Sequence, residues 1–306
     1  MLNEIVIQII EKNINEKITS IKQITSGYSR MIYQINDKYI LKIVTNPIKD
    51  NSTIKEVKFL LNNNNLDFIP KVIFSDFTKK SFPYVYYLER KINGESLLLK
   101  WPLLKESEKQ QVLVQLLEKL EKLHSLDYNS HFNNNCLDLL LKEYDNYLSK
   151  IIDSNILTKK KICYLYELKH IIPNLFEGAK TGLIHGDLHF NNILVNDDNK
   201  ISIIDFEKLK HSFVERELDP INRMSRNPNS FNTNSKIILT AYDFRNIMNF
   251  IKDNYEPING DKFDDRLLLF DCLNSLMWLE KYPKYDLYND ILFNESKKLL
   301  RKYDIM

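Results

Sequence analysis

Residues 183–207 read LIHGDLHFNNILVNDDNKISIIDFE. The chain has only six glycines and six histidines, yet Gly186, His185, His189 and Asp187 crowd into five positions here. Two short apolar runs follow, Ile193-Leu194-Val195 and Ile201-Ser202-Ile203-Ile204, with the composition of strands. Between them Asp197-Asp198-Asn199-Lys200 supplies turn residues, so the pair is expected to form a hairpin. Such a hairpin would fold Asp205 back toward the loop that carries Asp187 and Asn192, and three oxygen-bearing side chains would converge.

The global composition frames this stretch. A chain of 306 residues can bury a large core in one two-lobed domain or in two domains. Apolar content is 43% and no apolar run approaches the length of a membrane span. The opening MLNEIVIQIIEKNINEKI is amphipathic and carries acidic residues, which predicts a first helix and not a signal peptide. Cys136, Cys163 and Cys272 are odd in number and lack metal-ligand spacing, so a reducing cytoplasm is the expected location. The net charge of +2 argues against a dedicated nucleic-acid binder. Residues 1–91 carry 14 basic and 9 acidic residues, whereas the rest carries 29 and 32, a net of −3. That division would suit an anion held by the first part and a cation by the second, although scattered surface charge is the ordinary explanation.

After the first helix, residues 20–25, 30–37 and 38–44 alternate or run apolar and predict strands. Residues 54–63 have helical spacing, and KVIFSDF and YVYYLERKI (71–77 and 84–92) predict two further strands. From residue 103 the texture changes to long amphipathic helices, with similar stretches at 137–171 and 264–281. The expected organisation is a β-rich part over 1–90, a crossing near 89–94, and a larger helical part over 91–306 that contains the hairpin.

The chemistry lies in His185-Gly186-Asp187-Leu188-His189-Phe190-Asn191-Asn192, which fits H-x-D-x-x-x-x-N, with Asp205 eighteen residues beyond Asp187. In phosphoryl transfer of the kinase type, an Asp orients the acceptor hydroxyl and takes its proton. An Asn five residues on and a second Asp hold magnesium against the phosphates. A cation for the phosphates is also required; Lys42 lies on a predicted strand and Glu56, fourteen residues later, on a predicted helix. A strand lysine alone is ordinarily a solvated surface residue; four elements in the right order are much more specific.

These residues identify a resemblance. From residue 20 to about 280 the chain resembles the aminoglycoside phosphotransferase family, a protein-kinase-like group that includes choline and other small-molecule kinases. The resemblance implies an α+β, bilobal protein-kinase-like fold: a small antiparallel sheet with a helix, then a larger helical lobe. It implies Asp187 as the catalytic base, Asn192 and Asp205 as magnesium ligands, and Lys42 with Glu56 as the phosphate-positioning pair. Ser26 and Gly27 occupy the place of the loop over the nucleotide phosphates. Arg90 and Ile92 occupy the hinge, where the Arg90 carbonyl and Ile92 amide would bond the base of ATP or GTP. Two departures from protein kinases, Gly186 for the Arg of H-R-D and Glu207 for the Gly of D-F-G, together with the lack of an A-P-E segment, favour a small-molecule acceptor.

The expected function is therefore transfer of the γ-phosphoryl group of ATP or GTP, with Mg2+, to a hydroxyl of an aminoglycoside-like antibiotic. The expected protein is a cytoplasmic monomer without nucleic-acid or membrane partners. A metabolic kinase for choline, ethanolamine or a sugar is the alternative within the enzymes, and a silent nucleotide-binding pseudokinase the alternative outside them. Glu217, Asp264, Asp265, Asp271 and Glu280 are expected in segments lining the acceptor mouth, where they would attract a polycation. His124, His185, His189 and Asp219 are expected to be structural, and Trp278 to be buried in the core.

Overall fold

The computed structural model describes residues 4–26, 30–126, 135–154, 157–232, 237–258, 260–283 and 286–305. The chain begins with α1 (Glu4–Ile14), β1 (Ile21–Ser26), β2 (Arg30–Ile35), β3 (Tyr39–Val44), α2 (Asp50–Asn62), β4 (Val72–Asp76), β5 (Val85–Arg90), β6 (Glu95–Ser96), α3 (Leu97–Lys100) and α4 (Glu106–His124). It continues with α5 (Cys136–Asp153), α6 (Lys159–Leu175), β7 (Thr181–Ile184), β8 (Ile193–Val195), β9 (Ile201–Ile203) and β10 (Lys210–Phe213). The last helices are α7 (Glu215–Arg226), α8 (Ala241–Phe244), α9 (Ile247–Asn254), α10 (Phe263–Lys281) and α11 (Asp286–Lys302). The chain folds as two compact units, Met1–Gln115 with Phe190–Leu209, and Leu116–His189 with Lys210–Met306. Architecture and element content are those of the expected α+β kinase-like fold.

In the first unit the sheet order is β1-β2-β3-β5-β4, antiparallel throughout. Because side chains alternate along a strand, β3 and β5 present two different faces. Tyr39, Leu41, Ile43, Tyr86 and Leu88 point one way and pack with Val6 and Ile10 of α1 into one buried cluster. Burying such side chains stabilises the unit by roughly 1.5–3 kcal/mol apiece, which fixes the register of the central strands. The opposite face carries Lys42, Tyr87 and Glu89, and the pairing of Ile32 with Lys42 and of Arg30 with Val44 adds Arg30 to it. A one-residue slip would exchange the polar face for the apolar one.

The hairpin read from the sequence is present: Ile193 pairs with Ile203 and Val195 with Ile201. Asn196 builds its turn, its side-chain oxygen accepting the amides of Asp198 and Lys200. β6 extends the hairpin to three strands through Glu95–Val195 and Ser96–Leu194. Gly94 precedes that pairing at φ 144°, and a Cβ there would stand 2.9 Å from the Val195 carbonyl, so only glycine is accommodated.

In the second unit the helical texture over 137–171 proves to be two helices. Asn135 caps α5 by accepting from the Leu137 amide, and Thr158 caps α6 by accepting from that of Lys161. Leu140, Tyr144, Leu168, Ile172, Phe270 and Leu276 lie in the unit's shared core. β7 and β10 form a two-stranded ribbon with Ile184 opposite Lys210, and β7 leads directly into His185.

Candidate active site

The first unit gathers a buried ionic cluster on the polar face of its sheet. Lys42 Nζ lies 3.1 Å from Glu89 Oε1 and 3.9 Å from Glu56 Oε1. Glu56 is bound more closely by Arg30, whose Nη2 is 2.9 Å from Glu56 Oε2 and donates to Thr53 Oγ1 at 2.9 Å. The same guanidinium reaches Asp205 at 3.4 Å and Glu207 at 3.4 Å, and Lys49 holds Glu207 at 2.6 Å. Arg30, Lys42, Glu56 and Glu89 are all buried. Burial by itself opposes charge on Lys42, yet Glu89, Tyr87 and Glu56 outweigh it and hold the ammonium well above its usual range. Arg30 is likewise held charged against its burial, chiefly by Glu56. Burial pushes the Glu89 carboxyl up, with Lys42 opposing.

The hairpin delivers the two expected metal ligands to this unit. The Ile204 amide donates to the Asn192 carbonyl at 2.9 Å, so the segments bearing Asn192 and Asp205 run side by side. Asp205 adopts a left-handed conformation, φ 67° and ψ 62°, an arrangement Asp tolerates better than most residues. Its side chain is 46% exposed, which leaves carboxylate oxygen accessible for a cation. Phe206 then packs on Phe59 of α2 with ring centroids 5.1 Å apart, joining the turn to the helix that carries Glu56.

Among the described residues no three His, Cys, Asp or Glu side chains form a metal-holding group. Asn192 and Asp205 supply two hard oxygen donors, a set that suits Mg2+, which takes few protein ligands and completes its shell with water and phosphate oxygens.

Of the expected nucleotide residues, Ser26 closes β1 opposite Met31, and Gly27 lies outside the described residues. Arg90 ends β5, its amide donating to the Lys71 carbonyl at 2.8 Å, and Lys91 donates to Lys38 at 2.8 Å. The Ile92 amide has no acceptor among the described residues.

The second unit carries Asp187 on the loop after β7, and Glu217 shapes that loop. Fully buried at the start of α7, Glu217 accepts the amides of His185 at 2.5 Å and Gly186 at 3.2 Å. His124 Nε2 is 3.6 Å from Glu217, and Tyr255 Oη lies 2.6 Å from His124 Nδ1. His185 Nδ1 accepts the Asp187 amide at 3.3 Å, so it braces the backbone as expected. His189 packs edge-on to Phe231, and Asp219 bonds Arg223 at 3.1 Å.

The sequence assigned Glu217 to the acceptor mouth, and the structure corrects this. Asp265 and Asp271 are also buried, held by Lys302 and Arg226 respectively. Of the five, only Asp264 is exposed and Glu280 is half-buried, each with a lysine partner. Trp278 is corrected too: it is half-buried, stacked between Tyr282 and Tyr288 at 5.5 and 5.7 Å. A signal for Glu217 existed in the sequence, because it is in helical phase with Ile221 and Met224, both fully buried. A carboxylate on an apolar stripe needs an internal partner.

A five-stranded antiparallel sheet with its cation-holding helix, and a hairpin bearing Asn192 and Asp205, define a kinase-like phosphotransferase. The chain belongs to the phosphotransferase enzyme family, whose model matches residues 20–218, and it is accordingly a phosphotransferase. Its fold is similar to that of APH(2″)-IIa in a streptomycin–ATP ternary complex, at 17% identity over 98% of this chain and 97% of that one, TM-score 0.68. It is similar also to ADP-bound APH(2″)-Ib, at 18% identity over 98% and 97%, TM-score 0.66. Choline kinase from Cryptosporidium parvum matches at 18% identity over 99% and 97%, TM-score 0.62. No curated protein matches the chain at the sequence level.

Proposed function

We propose that the protein is a Mg2+-dependent small-molecule kinase that transfers the γ-phosphoryl group of ATP or GTP to a hydroxyl of an aminoglycoside-like acceptor. The observation that carries this reading is the buried cluster of Lys42, Arg30 and Glu56, which holds two cations beside the half-exposed carboxylate of Asp205. In this reading Asp187 orients the acceptor hydroxyl and takes its proton as the oxygen attacks the γ-phosphorus and the bond to the β–γ bridging oxygen breaks. Lys42 holds the donor phosphates, and Arg30 and Glu89 hold the cluster in register. Asn192 and Asp205 hold Mg2+, which neutralises charge on the phosphates when bound. The Arg90 carbonyl and Ile92 amide bond the base, Ser26 and Gly27 border the phosphates, residues 1–90 serve the nucleotide and 91–306 the acceptor. We place the enzyme in the cytoplasm as a monomer.

Support for a polycationic acceptor is the net charge of −3 over residues 92–306. Solved relatives in complex with streptomycin, gentamicin and kanamycin share the fold. The internal pairing of Glu217, Asp265 and Asp271 favours a second reading, a metabolic kinase for a singly charged amino alcohol such as choline or for a neutral sugar.

The test is nucleotide consumption by the purified protein against aminoglycosides, choline, ethanolamine and sugars. Turnover of an aminoglycoside whose KM rises steeply with ionic strength supports the first reading. Turnover of choline or a sugar alone, with a KM indifferent to salt for a neutral acceptor, selects the second. No turnover of any acceptor despite tight nucleotide binding would favour a silent nucleotide-binding protein.

A further inference from the structure

We infer that Arg30 is a positioning residue of the metal site, aiming the Asp205 carboxylate by tying it to α2; this rests on the Mg2+ role proposed for Asp205. Arg30 opens β2, and its side chain is buried. Its Nη2 donates at 2.9 Å to both Thr53 Oγ1 and Glu56 Oε2 of α2. Its Nη1 donates to Asp205 Oδ1 at 3.4 Å, and Nη2 lies 3.4 Å from Glu207 Oε2. A guanidinium is a rigid, permanently charged fork, so these contacts fix the spacing between α2 and the turn Asp205-Phe206-Glu207.

That turn needs a hold from outside itself. Asp205 is left-handed, at φ 67° and ψ 62°, a conformation that non-glycine residues keep only where their surroundings impose it. Phe59 holds the Phe206 ring at 5.1 Å between centroids, and Lys49 holds Glu207 at 2.6 Å. Those contacts fix the residues that follow Asp205, whereas Arg30 reaches the Asp205 carboxylate itself. The backbone before Asp205 is set by the Ile204 amide, which donates to the Asn192 carbonyl at 2.9 Å. Main chain and side chain of the ligand are thus held from two directions, and the half-exposed carboxylate keeps its aim when a cation arrives.

Lys42 is turned to a different partner. It stands 3.1 Å from Glu89 Oε1 and 3.9 Å from Glu56 Oε1, and Arg30 already holds Glu56. The helix and the metal carboxylate are therefore linked through Arg30, which leaves Lys42 to the donor phosphates. Metal sites typically lose roughly 10–100-fold in affinity when a group that orients a ligand is changed. A cation beside a ligand oxygen also repels an incoming metal ion, which acts in the opposite sense. Arg30→Lys separates the two effects, because the charge stays and the fork goes.

The experiment is Mn2+ binding to the full chain saturated with ADP, read from the free-ion electron paramagnetic resonance signal, for wild type and Arg30→Lys. ADP affinity without metal, in the presence of a chelator, and thermal unfolding are measured alongside. Arg30→Lys is expected to weaken Mn2+ binding about tenfold while metal-free ADP affinity stays within about threefold. Where Arg30→Lys does not fold, Thr53→Val takes one acceptor from the fork and should weaken Mn2+ binding about threefold. Unchanged Mn2+ binding in the folded variant overturns the inference and leaves the kinase reading intact. Tighter binding also overturns it, since Arg30 would then act only as a rival charge. An equal loss of metal-free ADP affinity would make the role merely structural and overturn it too. Failure of wild type with ADP to bind Mn2+ beyond ADP alone overturns both the inference and the metal role of Asp205.

Discussion

Arg30 Nη2 lies 2.9 Å from Glu56 Oε2, closer than Lys42 comes to the same carboxylate. The helix carboxylate is therefore anchored first by the arginine that opens β2, and Arg30 also ties it to Thr53, Asp205 and Glu207. Arg30→Met should remove the central cation from a buried network and lower stability by about 3 kcal/mol, the scale for breaking a buried pair. Arg30→Lys should recover only part of this, since a single ammonium cannot reproduce the fork. Thermal and urea unfolding measure both. A loss below about 1 kcal/mol for Arg30→Met would mean that the network carries little of the fold.

Asp187→Asn should leave unfolding and nucleotide affinity nearly unchanged while kcat falls at least about a hundredfold, the usual scale for loss of a general base. Steady-state kinetics with an acceptor from the panel decide this. A variant within a few-fold of wild type removes Asp187 from the proton transfer.

Glu217→Gln keeps the size of the side chain but leaves one of the two loop amides facing an NH2 group. Stability should fall by about 2 kcal/mol, and the amides of His185 and Gly186 should exchange hydrogen faster than in wild type. Hydrogen-exchange mass spectrometry over residues 183–189 reads this directly. Unchanged protection there would show that Glu217 does not hold the loop.

Asp205→Ala deletes one of two oxygen donors from the proposed cation site. Activity should then require Mg2+ concentrations higher by about tenfold or more. Magnesium titrations of both proteins, at saturating nucleotide, make the comparison. Superimposable curves would exclude Asp205 as a ligand.

Burial pushes the Asp271 carboxyl up to about 6, with Arg226 pulling it down and Asp219 pushing it further up. A carboxyl raised in the folded state binds its proton more tightly there than in the unfolded chain. Its stabilising contribution is thus full below about pH 4 and is lost as pH rises through about 6. The loss should be on the order of 2–3 kcal/mol. Unfolding free energies at pH 4.5 and 7 should differ less in Asp271→Asn than in wild type, whatever the offset between the two proteins. Parallel pH curves would place this carboxyl near its ordinary range.

The local features of this protein were legible in the chain itself. The hairpin of β8 and β9 follows from two apolar triplets flanking a turn, because strand alternation and turn chemistry are properties of neighbouring residues. The strands and helix of the first unit follow for the same reason, and so do the positions of Asp187, Asn192 and Asp205 within their segments. The structure broke the helical run at 137–171 where Thr158 caps α6, a boundary that a hydroxyl within a polar stretch marks only weakly.

What the sequence left open was every pairing that depends on register or on helix packing. That Arg30 and Lys42 share a sheet face with Glu89 is decided by the alignment of β2, β3 and β5, whose residues lie as much as 59 positions apart in the chain. Likewise, Glu217 and Asp271 read as surface charge until the packing of α7 and α10 enclosed them. A buried charge is defined by what surrounds it, and that surrounding comes from segments distant in sequence. Composition thus determined which groups the protein has, and tertiary structure determined which of them are held by the fold and which remain for a ligand.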